Sequence, residues 1–212
     1  MKNTKWEAIH SAYKKMEELC KKIDSEEVEQ TPENITRELI NARSEIRREL
    51  GFLKSILSED LKERDVYLIL FPIVAHFDEI IQTRYLTKMN SSWPLLQKEL
   101  FQVENGGEMF FEILDDILKK PGTLSFIFEV YYFCIVSGFR GKYDQDPVRI
   151  KYYLKELKDR ISPQEPPHLP VVKEDEEEKI KLVESPIWYY AVPVGIGCIL
   201  WLCFYVVSNF IY

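Results

Sequence analysis

The side chains best suited to chemistry stand together at His76, Asp78 and Glu79, directly after an apolar run. An imidazole and two carboxylates could hold a metal ion or move a proton. Helical spacing, however, puts Glu79 rather than Asp78 on the face of His76, and no second ligand pair is spaced to complete a metal set. The alternative is structural: a few polar groups that cap or hydrogen-bond within a buried setting. Asp115 and Asp116 are adjacent, point to different helix faces, and are expected as solvent-side charges. No glycine-rich loop ends in Lys-Ser or Lys-Thr, which excludes a P-loop, and Gly106-Gly107 alone is a weak signal. Ser, His and Asp residues do not group into a triad. Cys20, Cys134, Cys198 and Cys203 follow no pair spacing and read as reduced thiols rather than a disulfide or zinc framework. The expectation is a protein with no enzymatic activity, cofactor or metal. A membrane-bound hydrolase using His76 and Glu79 with a metal is the catalytic rival.

The elements that position these residues are helices, and strand signals are absent. Trp6, Ile9, Tyr13, Met16, Cys20 and Ile23 alternate in steps of three and four, which predicts an amphipathic helix over Thr4 to Asp24. It is expected to pack into the domain rather than form a coiled coil. Thr31 and Pro32 supply an N-cap and first-turn proline for a second helix to about Leu57, with Ile35, Leu39, Ala42, Ile46, Leu50 and Leu53 inward. Ser58, Glu59 and Asp60 suggest the next start, and Pro72 should kink or divide that helix. Val66 to Ala75 is almost wholly apolar but too short to cross a bilayer, so it is expected as the core helix. A short run through Leu96 and Phe101 follows. Next comes an amphipathic helix with Met109, Phe110, Ile113, Leu114, Ile117 and Leu118 inward. Leu124 to Phe139, apolar except for Glu129 and Ser137, should pack on the core helix. Gly138 to Tyr143 reads as a glycine-flanked turn. Asp146 and Pro147 start a last helix to about Ile161 with Val148, Tyr152, Leu154 and Leu157 inward.

Three regions result: an all-α domain over 1–161, a proline-rich acidic linker over 162–186 and an apolar segment over 187–212. The linker holds seven acids against three lysines, −4 of the chain's −7. An acidic balance without a basic face argues against nucleic acid as a partner. Residues 187–212 carry no Lys, Arg, Asp, Glu or His. As a helix this stretch would be about 39 Å long, enough to cross a ~30 Å hydrocarbon core with tilt. Trp188, Tyr189 and Tyr190 at one end and Tyr212 at the other suit the two interfaces. A single C-terminal transmembrane helix is therefore expected, with membrane lipid as its partner. The N-terminal stretch has no apolar core or cleavage site, so no secretory leader is expected. Lys173, Lys179 and Lys181 before the span place the N-terminal side in the cytoplasm. The linker should be stiff and hydrated, so that the domain stands off the membrane.

From about Leu61 to Ile161, and in its anchor, the chain resembles the TssL, DotU or IcmH family of bacterial type VI and type IVB secretion systems. The resemblance rests on several features in order: Asp78-Glu79 after an apolar helix, Trp93, and Gly106-Gly107-Glu108-x-Phe110-Phe111-x-x-Leu114. Glu129-Val130-Tyr131-Tyr132 and Gly138-Phe139-Arg140-Gly141-Lys142-Tyr143 complete it. It implies a cytoplasmic domain of two small helical bundles and one inner-membrane helix, with the C-terminus at the periplasmic face. It also implies assembly with a large IcmF or TssM-like membrane protein and with baseplate components, in a structural role. With nothing after Tyr212, the periplasmic peptidoglycan-binding domain of some members is expected to be absent.

The resemblance suggests that Asp78 and Glu79 line a cleft between the bundles, where acids would suit a basic partner. The alternative is that one of them holds the bundles together. Arg140 and Tyr143 on the glycine-flanked turn form a second candidate contact, against the reading of a turn pinned by its own side chains. In the anchor, Ala191 and Gly195 form a small-xxx-small pair with Gly197 nearby, suited to helix association as a homodimer or with a partner helix. The rivals are a DotU/IcmH-type stabilising subunit of a type IVB system, and a tail-anchored Bcl-2-like adaptor with a groove for an amphipathic helix.

Overall fold

The structure, a computed structural model of the chain, describes residues 2–25, 31–88 and 93–161. The expected linker at 162–186 and the expected anchor at 187–212, with Ala191, Gly195 and Gly197, lie outside the described residues. Seven α-helices occur among the described residues, with no strand: α1 (Lys2–Ile23), α2 (Pro32–Ser58), α3 (Glu63–Arg84), α4 (Leu96–Phe101), α5 (Gly106–Lys119), α6 (Ser125–Val136) and α7 (Pro147–Arg160). Short 3-10 turns lie at Leu86–Lys88 and Gly141–Tyr143.

The ends of α2 and α7 follow from local chemistry. Thr31 accepts from the Asn34 amide and Asp146 from the Arg149 amide, each followed by a proline whose missing N–H leaves no bond unmade. α1 and α2 pair through complementary stripes, and Lys15–Glu45 at 2.7 Å with Lys22–Glu38 at 2.9 Å shows that they run antiparallel. α1 also enters the domain: Trp6 packs edge-on against Phe126 and Phe133 of α6, and Tyr13 against Phe77 of α3.

α3 is the centre. It touches α2, α4, α5 and α6, and its residues from Leu68 to Asp78 are all buried. It is long and apolar enough to cross a membrane by length and composition, but most of it is enclosed by the other helices. The helix is not divided at Pro72. Burial against neighbours on all sides outweighs the ~3 kcal/mol that an interior proline costs an isolated helix.

Four sequence expectations are corrected. Ser58 does not start α3; it ends α2, because Leu57 is wholly buried and keeps the helix going. Lys62 precedes α3, with Glu63 and Asp65 in its first turn. Asp60 instead pairs with the buried Lys5 at 2.6 Å. On α7 the inward residues are Ile150, Tyr153 and Leu157, while Val148 and Tyr152 are exposed. The cause is tertiary: Tyr153 packs on Phe111 and donates to Asp115 of α5, which turns the Val148–Tyr152 side outward. Asp115 is thus half-buried and engaged rather than a free solvent charge. Phe111, absent from the expected α5 face, is fully buried.

Candidate functional site

The single acidic dipeptide on α3 does two jobs because adjacent helical residues diverge by about 100°. Asp78 is 1% exposed. Its Oδ1 accepts from the Trp93 indole at 2.8 Å and the Leu96 amide at 3.0 Å, and its Oδ2 from the Gln97 amide at 2.8 Å. Leu95, at the cap position of α4, has no side chain that can cap. Asp78 therefore satisfies the free N–H groups of α4 from another helix.

Glu79 turns the other way. Its two oxygens accept from the Arg140 amide at 2.8 Å and the Gly141 amide at 2.7 Å, at the mouth of the Gly141–Tyr143 turn. Burial pushes both carboxyl groups above the ordinary carboxylate range, and the N–H bonds each accepts pull partly back. His76 shares neither set of partners. It is 2% exposed, and its Nδ1 lies 2.9 Å from the Tyr13 hydroxyl, which also reaches Cys134 Sγ at 3.4 Å. Burial, and then the charge of Arg140, lower its pKa to about 4. No cluster of three or more His, Cys, Asp or Glu able to hold a metal occurs among the described residues.

The glycines make this arrangement possible. A Cβ on Gly107 would sit 2.9 Å from Cα of Gly141, and one on Gly106 would overlap the Gln97 side chain. Gly141 also has φ +50°, in the left-handed region. The start of α5 thus lies directly against the turn that Glu79 holds. Gln97 closes the other side, its Nε2 donating to the Glu104 carbonyl at 2.8 Å.

Between these loops lies a cleft of about 300 Å³. Asp78, Glu79, Glu104 and Asp144 line it, and no cation is among its lining residues. The sequence brought Asp78 and Glu79 to attention. Gln97, Glu104 and Asp144 carried no signal beyond ordinary polar loop residues, because only the folding of α4 and α5 onto α3 brings them there.

Arg140 and Tyr143 stand next to the cleft and are tied into the fold. Arg140 Nη1 donates to the Ile135 and Phe139 carbonyls, both at 2.9 Å. The Tyr143 ring packs edge-on against Phe111 at 4.7 Å, with Arg149 5.8 Å from its centroid. Both are half-buried.

An apolar groove of about 650 Å³ runs on another side between α2, α3 and α4, lined by Leu50, Val66, Tyr67, Leu70 and Phe101 among others.

The family described as "Type VI secretion system protein DotU" matches residues 9–210. Among solved structures, DotU from Francisella novicida is similar with a TM-score of 0.60 and 26% identity, over 74% of this chain and 97% of that one. The cytoplasmic domain of TssL from Acinetobacter baumannii is similar in fold, with a TM-score of 0.57 and 22% identity over 73% and 94% of the two chains. No curated protein matches. The match spans nearly the whole sequence and the helical fold agrees, so the chain belongs to the DotU family of type VI secretion system proteins.

Proposed function

We propose that this chain is a structural scaffold subunit of a type VI secretion membrane complex. Residues 187–212 anchor it in the bacterial inner membrane, residues 162–186 link that anchor to the domain, and the domain at 1–161 recruits cytoplasmic baseplate components. Its membrane partner is a large IcmF or TssM-like protein, met in part through Ala191, Gly195 and Gly197, which also suit self-association. The chain binds rather than catalyses.

The observation that carries this reading is the cleft lined by four carboxylates, of which Glu104 also pairs with Lys98 outside the lining while Asp78, Glu79 and Asp144 meet no lining cation. Such a surface attracts a basic partner and sets its orientation. Asp78 and Glu79 form its floor with their oxygens already bonded, so they contribute charge and shape. Glu104 and Asp144 are exposed at its rim. Arg140 and Tyr143 would present the adjoining turn.

The test is a pull-down from mildly solubilised membranes, comparing the intact chain with a Glu104→Gln, Asp144→Asn double variant that leaves the buried bonds untouched. Loss of cytoplasmic components with the large membrane partner retained supports the cleft as a docking surface. Unchanged recovery of both removes the cleft from the mechanism, and recovery of no secretion component with the intact chain overturns the scaffold reading.

A further inference from the structure

The outward face of α7 differs from the surface around it. Val148, Lys151, Lys155 and Lys158 follow at steps of three and four, with Tyr152 four residues after Val148, so they share one side of the helix, and all are exposed. Val148 is 76% and Tyr152 46% exposed. Arg149 flanks this face with its guanidinium 5.0 Å from the Tyr152 ring centroid. Many other surface lysines are paired: Lys14, Lys15, Lys21, Lys22, Lys98 and Lys120 each reach a carboxylate. Lys151, Lys155 and Lys158 form no ion pair with a described residue. Of the nearby acids, Asp146 is occupied in capping the helix and Glu156 is half-buried, while the exposed Asp159, four residues after Lys155, shares the face, which therefore carries three lysines against one carboxylate. A chain of net charge −7 therefore concentrates unpaired positive charge around two exposed apolar side chains.

That combination fits an anionic lipid surface. Lysine stems lie along headgroups with their ammonium groups at the phosphates, and a tyrosine and a valine suit the interfacial layer. An acidic protein would supply the charge, but two apolar side chains on one convex helix offer little of the contiguous apolar core that protein interfaces use. The chain beyond α7 points the same way. Twenty-five residues, 162–186, separate it from the uncharged stretch 187–212. A chain anchored there would keep α7 tethered to the bilayer, so individually weak lipid contacts would count.

We propose that the exposed face of α7 lies on an anionic bilayer surface, with Lys151, Lys155 and Lys158 at the headgroup phosphates and Val148 and Tyr152 in the interfacial layer. This rests on the reading of 187–212 as a membrane anchor. It replaces the expectation of a domain that stands off the membrane with one that lies against it.

The test is amine acetylation of the full chain, read by mass spectrometry at each lysine. The chain is placed in bilayer discs of phosphatidylcholine, or of phosphatidylcholine with roughly one-third phosphatidylglycerol. Lys151, Lys155 and Lys158 should become several-fold less reactive in the anionic discs only. About 1 M salt, where screening acts within about 3 Å, should reverse this. Lys14 and Lys21 on α1 should not change.

Equal reactivity in the two lipids, or equal protection of the α1 lysines, overturns the proposal. Protection that needs added soluble protein overturns it in favour of an acidic protein partner. Failure of the chain to enter discs of either composition overturns the anchor reading separately. In that case protection by added anionic vesicles, or its absence, still decides the role of α7.

Discussion

Gly107 and Gly141 lie back to back, with a Cβ on Gly107 falling 2.9 Å from the Cα of Gly141 and one on Gly141 2.5 Å from the Gly107 carbonyl oxygen. Both neighbours are backbone, so neither can swing aside as a side chain would. This contact seats the start of α5 on the turn held by Glu79, and it sets the width of the acidic cleft. Gly107→Ala should therefore cost about 1–3 kcal/mol of stability. Thermal unfolding followed by circular dichroism would measure it, with an unchanged melting temperature counting against the contact.

Gly51 provides the opposite case. It sits inside α2 with nothing within 4 Å of a built Cβ, so no close approach requires a glycine there. Gly51→Ala should stabilise the protein by roughly 0.5–1 kcal/mol, through helix propensity alone. The same unfolding measurement checks it, and a lowered melting temperature would mean that α2 meets something at this point.

Asp78 and Glu79 predict separable effects. Asp78→Ala leaves the Trp93 indole and two amides of α4 without their buried acceptor, and should cost roughly 2–4 kcal/mol. Trp93 fluorescence should report a local change before global unfolding. Glu79→Ala frees the Arg140 and Gly141 amides instead, so faster hydrogen exchange should be confined to that turn. Identical exchange patterns in the two variants would contradict the division of labour between the neighbouring carboxylates.

His76 gives the acid limb of the stability curve a definite sign. Its pKa falls from an ordinary 6.5 to about 4 in the folded protein, chiefly by burial. Above pH 6.5 both states hold it neutral and it contributes nothing. Below that the unfolded chain takes a proton the fold refuses, so stability drops by about 1.4 kcal/mol per pH unit until near pH 4, some 3 kcal/mol in all. Asp78 and Glu79 are shifted upward, so they bind protons more readily in the fold and act in the opposite direction. Denaturant unfolding of wild type and His76→Phe between pH 7 and 4 isolates the histidine. The variant should lose less stability over that range, and parallel curves would show that His76 does not titrate as the structure implies.

Periodicity along the chain determined the helical class, the inward faces of α1 and α2, and α3 as the core, because each depends on residues three and four apart. Thr31-Pro32 and Asp146-Pro147 marked two helix starts, since a cap and its proline are neighbours in sequence. The order of Asp78-Glu79, Trp93, Gly106-Gly107 and Gly138 to Tyr143 carried the family. What those motifs do was decided only by the fold. Asp78 meets α4 across 18 and 19 residues, and Glu79 meets the turn across 61 and 62. Pairings of that separation leave no trace in local spacing. The face of α7 was likewise settled by Phe111 and Asp115 on another helix, which claimed Tyr153 and turned Val148 and Tyr152 outward. Side chains that satisfy one another at long range are chosen by tertiary packing, and so the acidic cleft and the basic face of α7 appear only once the helices are assembled.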